Sequence, residues 1–259
     1  LQLVIADLKS SKEDCKDDQG NVVDGAEYHW EVVERILFIY SKLNPGVKYG
    51  MNEIVGPLYY VFATDRDKDW AQYAEADTYY CFQILMSEIK DNFIKMLDNS
   101  NCGISWSMNQ FCELLRGFDV ELYNHLVVDL CIKPQFFAFR WISLLLSQEF
   151  SLPDVIIIWD SIFSSESRIK FLHFVCIAMM EREREELLNG DFSSCLRLLQ
   201  NIPEKNVYEL LRVAFDIRDG NYKLPLSNSV DDGSRKFKFD SANRFAAAFA
   251  NSFRNLTKK

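Results

Sequence analysis

An all-α fold is what this sequence predicts, on three observations. Glycine and proline are scarce, ten and six in 259 residues, so the residues that punctuate turn-rich β folds are few. Apolar side chains recur at spacings of three and four in one segment after another, the mark of helices with one buried face. No stretch alternates apolar and polar residues for long enough to read as a half-buried strand. With 48% hydrophobic and 14% aromatic residues the chain is globular and long enough to bury a large core.

Residues 1–26 are polar and acidic, with Lys9-Ser10-Ser11-Lys12-Glu13-Asp14 and then Asp17-Asp18-Gln19-Gly20. They read as a flexible segment or the remnant of an insertion. The body is expected to span 27–218. Its first helix carries Trp30, Val33, Ile36, Leu37 and Tyr40 on one face, and Asn44-Pro45-Gly46 stops it. A second helix over 51–63 contains Pro57, which should kink or restart it, and 64–69 reads as a charged loop. The clearest helix runs over 74–97 with Phe82, Leu85, Ile89, Phe93 and Leu97 on one face, ended by Asp98-Asn99-Ser100-Asn101. Helices follow at 105–116 and at 119–130, the latter opened by Asp119 as N-cap. Pro134 and Pro153 each sit where a first helical residue would, predicting helices over 135–148 and 154–163. Helices at 167–189, 193–201 and 205–218 complete the body. Within the first of these, Glu181-Arg182-Glu183-Arg184-Glu185-Glu186 reads as a solvated face of alternating charge.

Residues 219–259 change character: a polar linker precedes Phe237, Ala242, Phe245, Phe249, Phe253 and Leu256 at helical spacing among basic residues. Residues 233–259 carry a net +6 against a total of −9, so the rest of the chain carries −15. The tail is expected to dock on that acidic body, or, through 235–259, to make peripheral contact with an acidic membrane.

Several chemistries are excluded. An acidic chain is a poor match for nucleic acid, whose phosphates need basic surface. The seven cysteines form no C-x-x-C pair and mostly lie in apolar stretches, which predicts buried free thiols in a cytoplasmic setting. His29, His125 and His173 lie far apart, with no second ligand at metal spacing. Neither a G-x-S-x-G elbow nor a G-x-x-x-x-G-K-[ST] phosphate loop is present. No apolar span is long enough to cross a membrane.

Five strings carry more information. Asn44-Pro45-Gly46 leads into Tyr49-Gly50-Met51-Asn52-Glu53. Pro134-Gln135-Phe136-Phe137-Ala138-Phe139-Arg140-Trp141 is followed by Ser147-Gln148-Glu149-Phe150. Then come Trp159-Asp160-Ser161-Ile162-Phe163 and Gly190-Asp191-Phe192. In this order the chain, from roughly Trp30 to Arg218, resembles the TBC-type Rab GTPase-activating proteins.

The resemblance implies an all-α fold of two helical lobes, its N-terminal lobe incomplete, that binds a small Rab GTPase in its GTP form. It implies no cofactor of the chain's own, since magnesium and GTP belong to the Rab. Family members hasten hydrolysis with two residues inserted in trans: an arginine from Ile-x-x-Asp-x-x-Arg and a glutamine from Tyr-x-Gln-Gly-Met-Asn. Such parts suit a reaction governed by positioning and electrostatic stabilisation. Neither is found in this chain. Around Val4-Ile5-Ala6-Asp7 the position three beyond the aspartate is Ser10, and Tyr49 runs directly into Gly50. Two accounts stand: an activator whose upstream part and two-residue piece are missing from this chain, as its start at Leu1 suggests, or a Rab-binding scaffold without activating power.

By the same resemblance Tyr49, Gly50, Met51, Asn52 and Glu53 face the Rab and its nucleotide, at a helix N-terminus suited to anionic oxygens. For Asn52 and Glu53, capping and lobe packing is the competing role. Arg140 either supports that site or pairs with a buried acid such as Glu149, and the pairing is the preferred reading. Trp30, Trp141, Trp159 and Phe163 are expected in the core.

Overall fold

The computed structural model describes residues 29–47, 50–94, 103–203 and 206–224. Residues 1–28, Tyr49, the 95–102 segment and the basic tail 235–259 lie outside them. Every regular element among the described residues is helical. In chain order these are α1 (His29–Leu43), α2 (Met51–Ala63), α3 (Lys68–Ala71), α4 (Ala74–Ile89) and α5 (Ile104–Phe118). Then follow α6 (Val120–Tyr123), α7 (Ala138–Ser143), α8 (Leu152–Phe163), α9 (Arg168–Glu181), α10 (Arg184–Asn189), α11 (Phe192–Gln200) and α12 (Val207–Asp219).

Two groups of helices share one core. In the first, α2 packs against α1 and α4. In the second, α9 packs most extensively on α12 and also touches α5, α7, α8 and α10. Contacts of α2 with α8, and of α5 with a 3-10 turn over Lys90–Phe93, join the groups. The central α9 is buried from Phe171 to Glu181 except at Phe174. A helix apolar on every side must sit inside.

Local signals account for the helix ends. Asn206 accepts from the N–H groups of Tyr208 and Glu209 at the start of α12, and Gly220 closes it in the left-handed conformation. Asp191 caps α11 through the Ser194 N–H at 2.8 Å. The helix expected over 51–63 runs unbroken through buried Gly56 and Pro57. Packing on both neighbours outweighs the one backbone bond Pro57 lacks.

Tertiary demands correct four expectations. The long helix over 74–97 ends at Ile89 and tightens into the 3-10 turn. The helix over 119–130 keeps its Asp119 cap but widens after Tyr123 into a π turn, where the Leu130 N–H reaches His125 O at 2.9 Å. The helix over 135–148 is a 3-10 turn at Pro134–Phe136, then the six residues of α7, then a turn over 144–149. The helix over 167–189 breaks at Arg182-Glu183 into α9 and α10. The break turns Arg184 inward, so the expected solvated face is wrong at its centre: Glu181, Glu183 and Arg184 are buried.

Trp30 is corrected as well, being 43% exposed. At about 100° per residue it lies roughly a quarter turn from the face made by Val32, Val33, Ile36 and Tyr40.

Candidate functional site

The start of α2 is assembled from three parts of the chain. Asn44 ends α1: its N–H and its side-chain amide both donate to Tyr40 O, at 2.9 and 3.0 Å. The chain re-enters at Gly50, whose φ of 82° belongs to the left-handed region that favours glycine. There is little room for a side chain either. A Cβ on Gly50 would meet Leu144 Cδ2 and Phe93 Cε1, each at 3.2 Å. Leu144 comes from the turn after α7 and Phe93 from the 3-10 turn, so both helical groups meet at this point.

As N-cap, Gly50 offers no side-chain oxygen, and no side-chain cap bonds the first turn of α2. The Glu53 N–H turns back to Gly50 O at 3.2 Å. The remaining first-turn amides and the positive end of the helix dipole are suited to an anionic group. Asn52 Nδ2 donates to Glu53 Oε1 at 2.9 Å, and the Glu53 carboxylate itself fits the helix start. Both side chains are half-buried at this edge, whereas Met51 is buried in the core.

Arg140 and Glu149 are brought together as the sequence suggested. Arg140 donates to both Glu149 carboxylate oxygens at 2.5 and 2.8 Å and to Gln200 O at 2.8 Å. Glu149 is the buried acid, as expected, with its side chain 5% exposed, whereas Arg140 is 40% exposed. Three of the four expected core aromatics pack. Trp141 is fully enclosed, Trp159 is buried, and Phe163 is half-buried with its ring 5.6 Å from that of Trp159.

The histidines are held singly. His29 Nδ1 lies 2.8 Å from the Tyr59 hydroxyl, His125 Nε2 lies 3.2 Å from Gly190 O, and His173 Nε2 lies 3.1 Å from Ser107 Oγ. Burial first, and Lys170 second, push His173 down to about 4, so it is neutral in the core. Among the described residues no group of three or more His, Cys, Asp or Glu could hold a metal. No helix there is long and apolar enough to cross a membrane.

A buried charge cluster escaped the sequence reading. Arg184 Nε donates to Asp119 Oδ2 at 2.6 Å and its Nη2 to Glu121 Oε2 at 2.6 Å. Asp119 is also the cap that accepts the Leu122 N–H at 3.0 Å. The bond to Asp119 chiefly raises the Arg184 pKa further. Beside them the Glu181 carboxyl is buried next to Asp119. Burial first and the Asp119 charge second push Glu181 up to about 8, so it is protonated at neutral pH. The one available signal was its position: the charged run follows directly on an apolar stretch with no polar face.

Comparison with known proteins adds to this geometry. Residues 24–188 match the family model of the Rab-GTPase-TBC domain. TBC1 domain family member 13 of Homo sapiens is 59% identical over 197 residues, covering 75% of this chain and 49% of that protein. The GTPase-activating protein gyp1 of Schizosaccharomyces pombe is 31% identical over 193 residues, covering 68% of this chain and 37% of that protein. The crystal structure of the Ypt/Rab-GAP domain of Gyp1p aligns with a TM-score of 0.65 at 23% identity, over 84% of this chain and 73% of that one, and shows the same fold. The chain spans half or less of the length of these curated relatives.

Proposed function

Because the chain belongs to the Rab-GTPase-TBC domain family, we propose that it acts on a small Rab GTPase in the GTP form, within a system whose activity is GTPase activation. The support is the family match together with a curated relative named as a GTPase-activating protein. The docking edge in this reading is the start of α2, at Gly50, Asn52 and Glu53, with magnesium and GTP supplied by the Rab. Contact with an acidic membrane through the tail 235–259 belongs to the same proposal, as does a cytoplasmic setting.

A second reading rests on one sequence observation. The chain contains no Ile-x-x-Asp-x-x-Arg string, and Tyr49 adjoins Gly50 with no glutamine between them. An arginine finger alone contributes about 10³–10⁵ in rate. Taken as it stands, this polypeptide therefore binds Rab-GTP and does not hasten hydrolysis by the two-finger route.

The test uses stoichiometric amounts of the chain with a panel of GTP-loaded Rabs, reading binding and single-turnover phosphate release. Acceleration of any Rab by more than about tenfold would favour the activator and sink the scaffold reading. Binding with unchanged hydrolysis is the outcome expected for this polypeptide. If no Rab binds, both readings fall.

A further inference from the structure

The sequence Ser143-Leu144-Leu145-Leu146-Ser147 suits a helix, yet α7 stops at Ser143. Leu145 and Leu146 then sit in the left-handed region, with φ of 51° and 64°. Branched side chains adopt that conformation only when the surroundings over-determine it. Four hydrogen bonds do so here. Trp159 Nε1 donates to Leu145 O at 2.8 Å, and the Leu146 N–H reaches Trp141 O at 2.9 Å. Glu149, at the far end of the turn, is chelated by Arg140. Both leucines are buried, which leaves this backbone little latitude. Half-buried Leu144 opens this anchored turn, and its Cδ2 would lie 3.2 Å from a Cβ on Gly50.

We infer that the turn over 144–149 is a positioning element for the N-terminus of α2. Leu144 sets where Gly50 sits, and Trp159 and the Arg140–Glu149 pair hold Leu144 in place. The first turn of α2 has no side-chain cap, so its placement depends on this tertiary contact and on Phe93. The functional weight of the inference rests on the reading that Gly50–Glu53 is the GTPase-facing edge. The mechanical coupling stands on the contacts alone.

Hydrogen exchange on the full chain separates the two. Trp159→Phe keeps an aromatic ring but removes the N–H that holds Leu145, together with part of the buried indole's volume. Leu144→Ala removes the contact with Gly50 directly, and Leu144→Met retains an apolar side chain over it. In the first two variants, exchange in peptides spanning 50–56 should rise roughly fivefold or more, while α9 and α12 stay within about twofold of the unmodified chain. Leu144→Met should restore the slow rate. A core control, Ile217→Val in α12, should leave the 50–56 peptides unchanged. If exchange over 50–56 does not move, or rises only in step with α9 and α12, the turn is ordinary packing and the inference is overturned. Affinity is then measured for any GTP-loaded Rab that binds the unmodified chain, and it should weaken about fivefold or more in Trp159→Phe and Leu144→Ala. If no Rab binds the unmodified chain, the GTPase-facing reading fails while the exchange result still decides the coupling.

Discussion

Replacing Arg184 by methionine tests whether the charged run at 181–186 is interior or solvated. The Arg184 side chain is 6% exposed and that of Asp119 1%. Removing the guanidinium leaves the Asp119 carboxylate without its counter-ion at 2.6 Å, beside buried Glu181. Breaking a buried pair in this one-sided way costs about 3–5 kcal/mol, because the stranded charge must be desolvated or neutralised. Total stabilities are about 5–15 kcal/mol, so a large share of the fold's stability is at stake. For a domain of this size the midpoint of thermal unfolding should fall by about 10 °C. Urea unfolding followed by circular dichroism gives the free energy directly. A second replacement, Asp119→Asn in the Arg184→Met background, should recover part of the loss, since it removes the stranded charge. Glu185, exposed on the same run, is the internal control, and Glu185→Gln should stay within about 0.5 kcal/mol. A loss below about 1 kcal/mol for Arg184→Met, or one equal to the Glu185→Gln effect, would refute the buried-cluster account.

The same cluster sets a pH dependence. Glu181, raised to about 8, holds its proton in the folded state, so its contribution is fully present below the unfolded value of 4.5 and is lost as pH rises through 8. His173, lowered to about 4, acts in the opposite direction, its contribution being lost as pH falls from 6.5 towards 4. The two oppose each other between about 4.5 and 6.5. From pH 6.5 to 8 only Glu181 acts, and stability should fall by up to about 2 kcal/mol. Glu181→Gln should flatten that decline in urea melts at several pH values; an unchanged slope would show that Glu181 is ionised in the fold. Trp141→Ala removes a fully buried side chain and should cost about 3–5 kcal/mol in the same melts. Gly50→Ala meets both a left-handed φ and two side chains at 3.2 Å; a loss of about 1–3 kcal/mol is expected, and a neutral result would mean that α2 starts differently.

The helical class, most helix positions and most core aromatics are legible in the sequence because they follow from local rules. A repeat of three and four buries one face, Pro134 and Pro153 open segments, and Asp119 caps one. Trp30 shows where the periodicity is too coarse: a residue about 100° from the buried face still fits the spacing. The pairing of Arg140 with a buried Glu149 was legible because a charge in an apolar segment needs a partner, although the partial exposure of Arg140 was not.

What only the tertiary structure decided lies where long-range partners take over backbone groups or charges. Leu144-Leu145-Leu146 has the composition of a helix, and Trp159, far along the chain, claims the carbonyl that helps hold a strained turn instead. Glu181–Glu186 has the composition of a surface. It turns inward because Asp119, some 65 residues away, requires Arg184. Gly50 reads only as the start of a helix until Leu144 and Phe93 are seen closing over it. Sequence determines what each segment favours in isolation; the packed fold decides which of those local preferences a distant partner is strong enough to overrule.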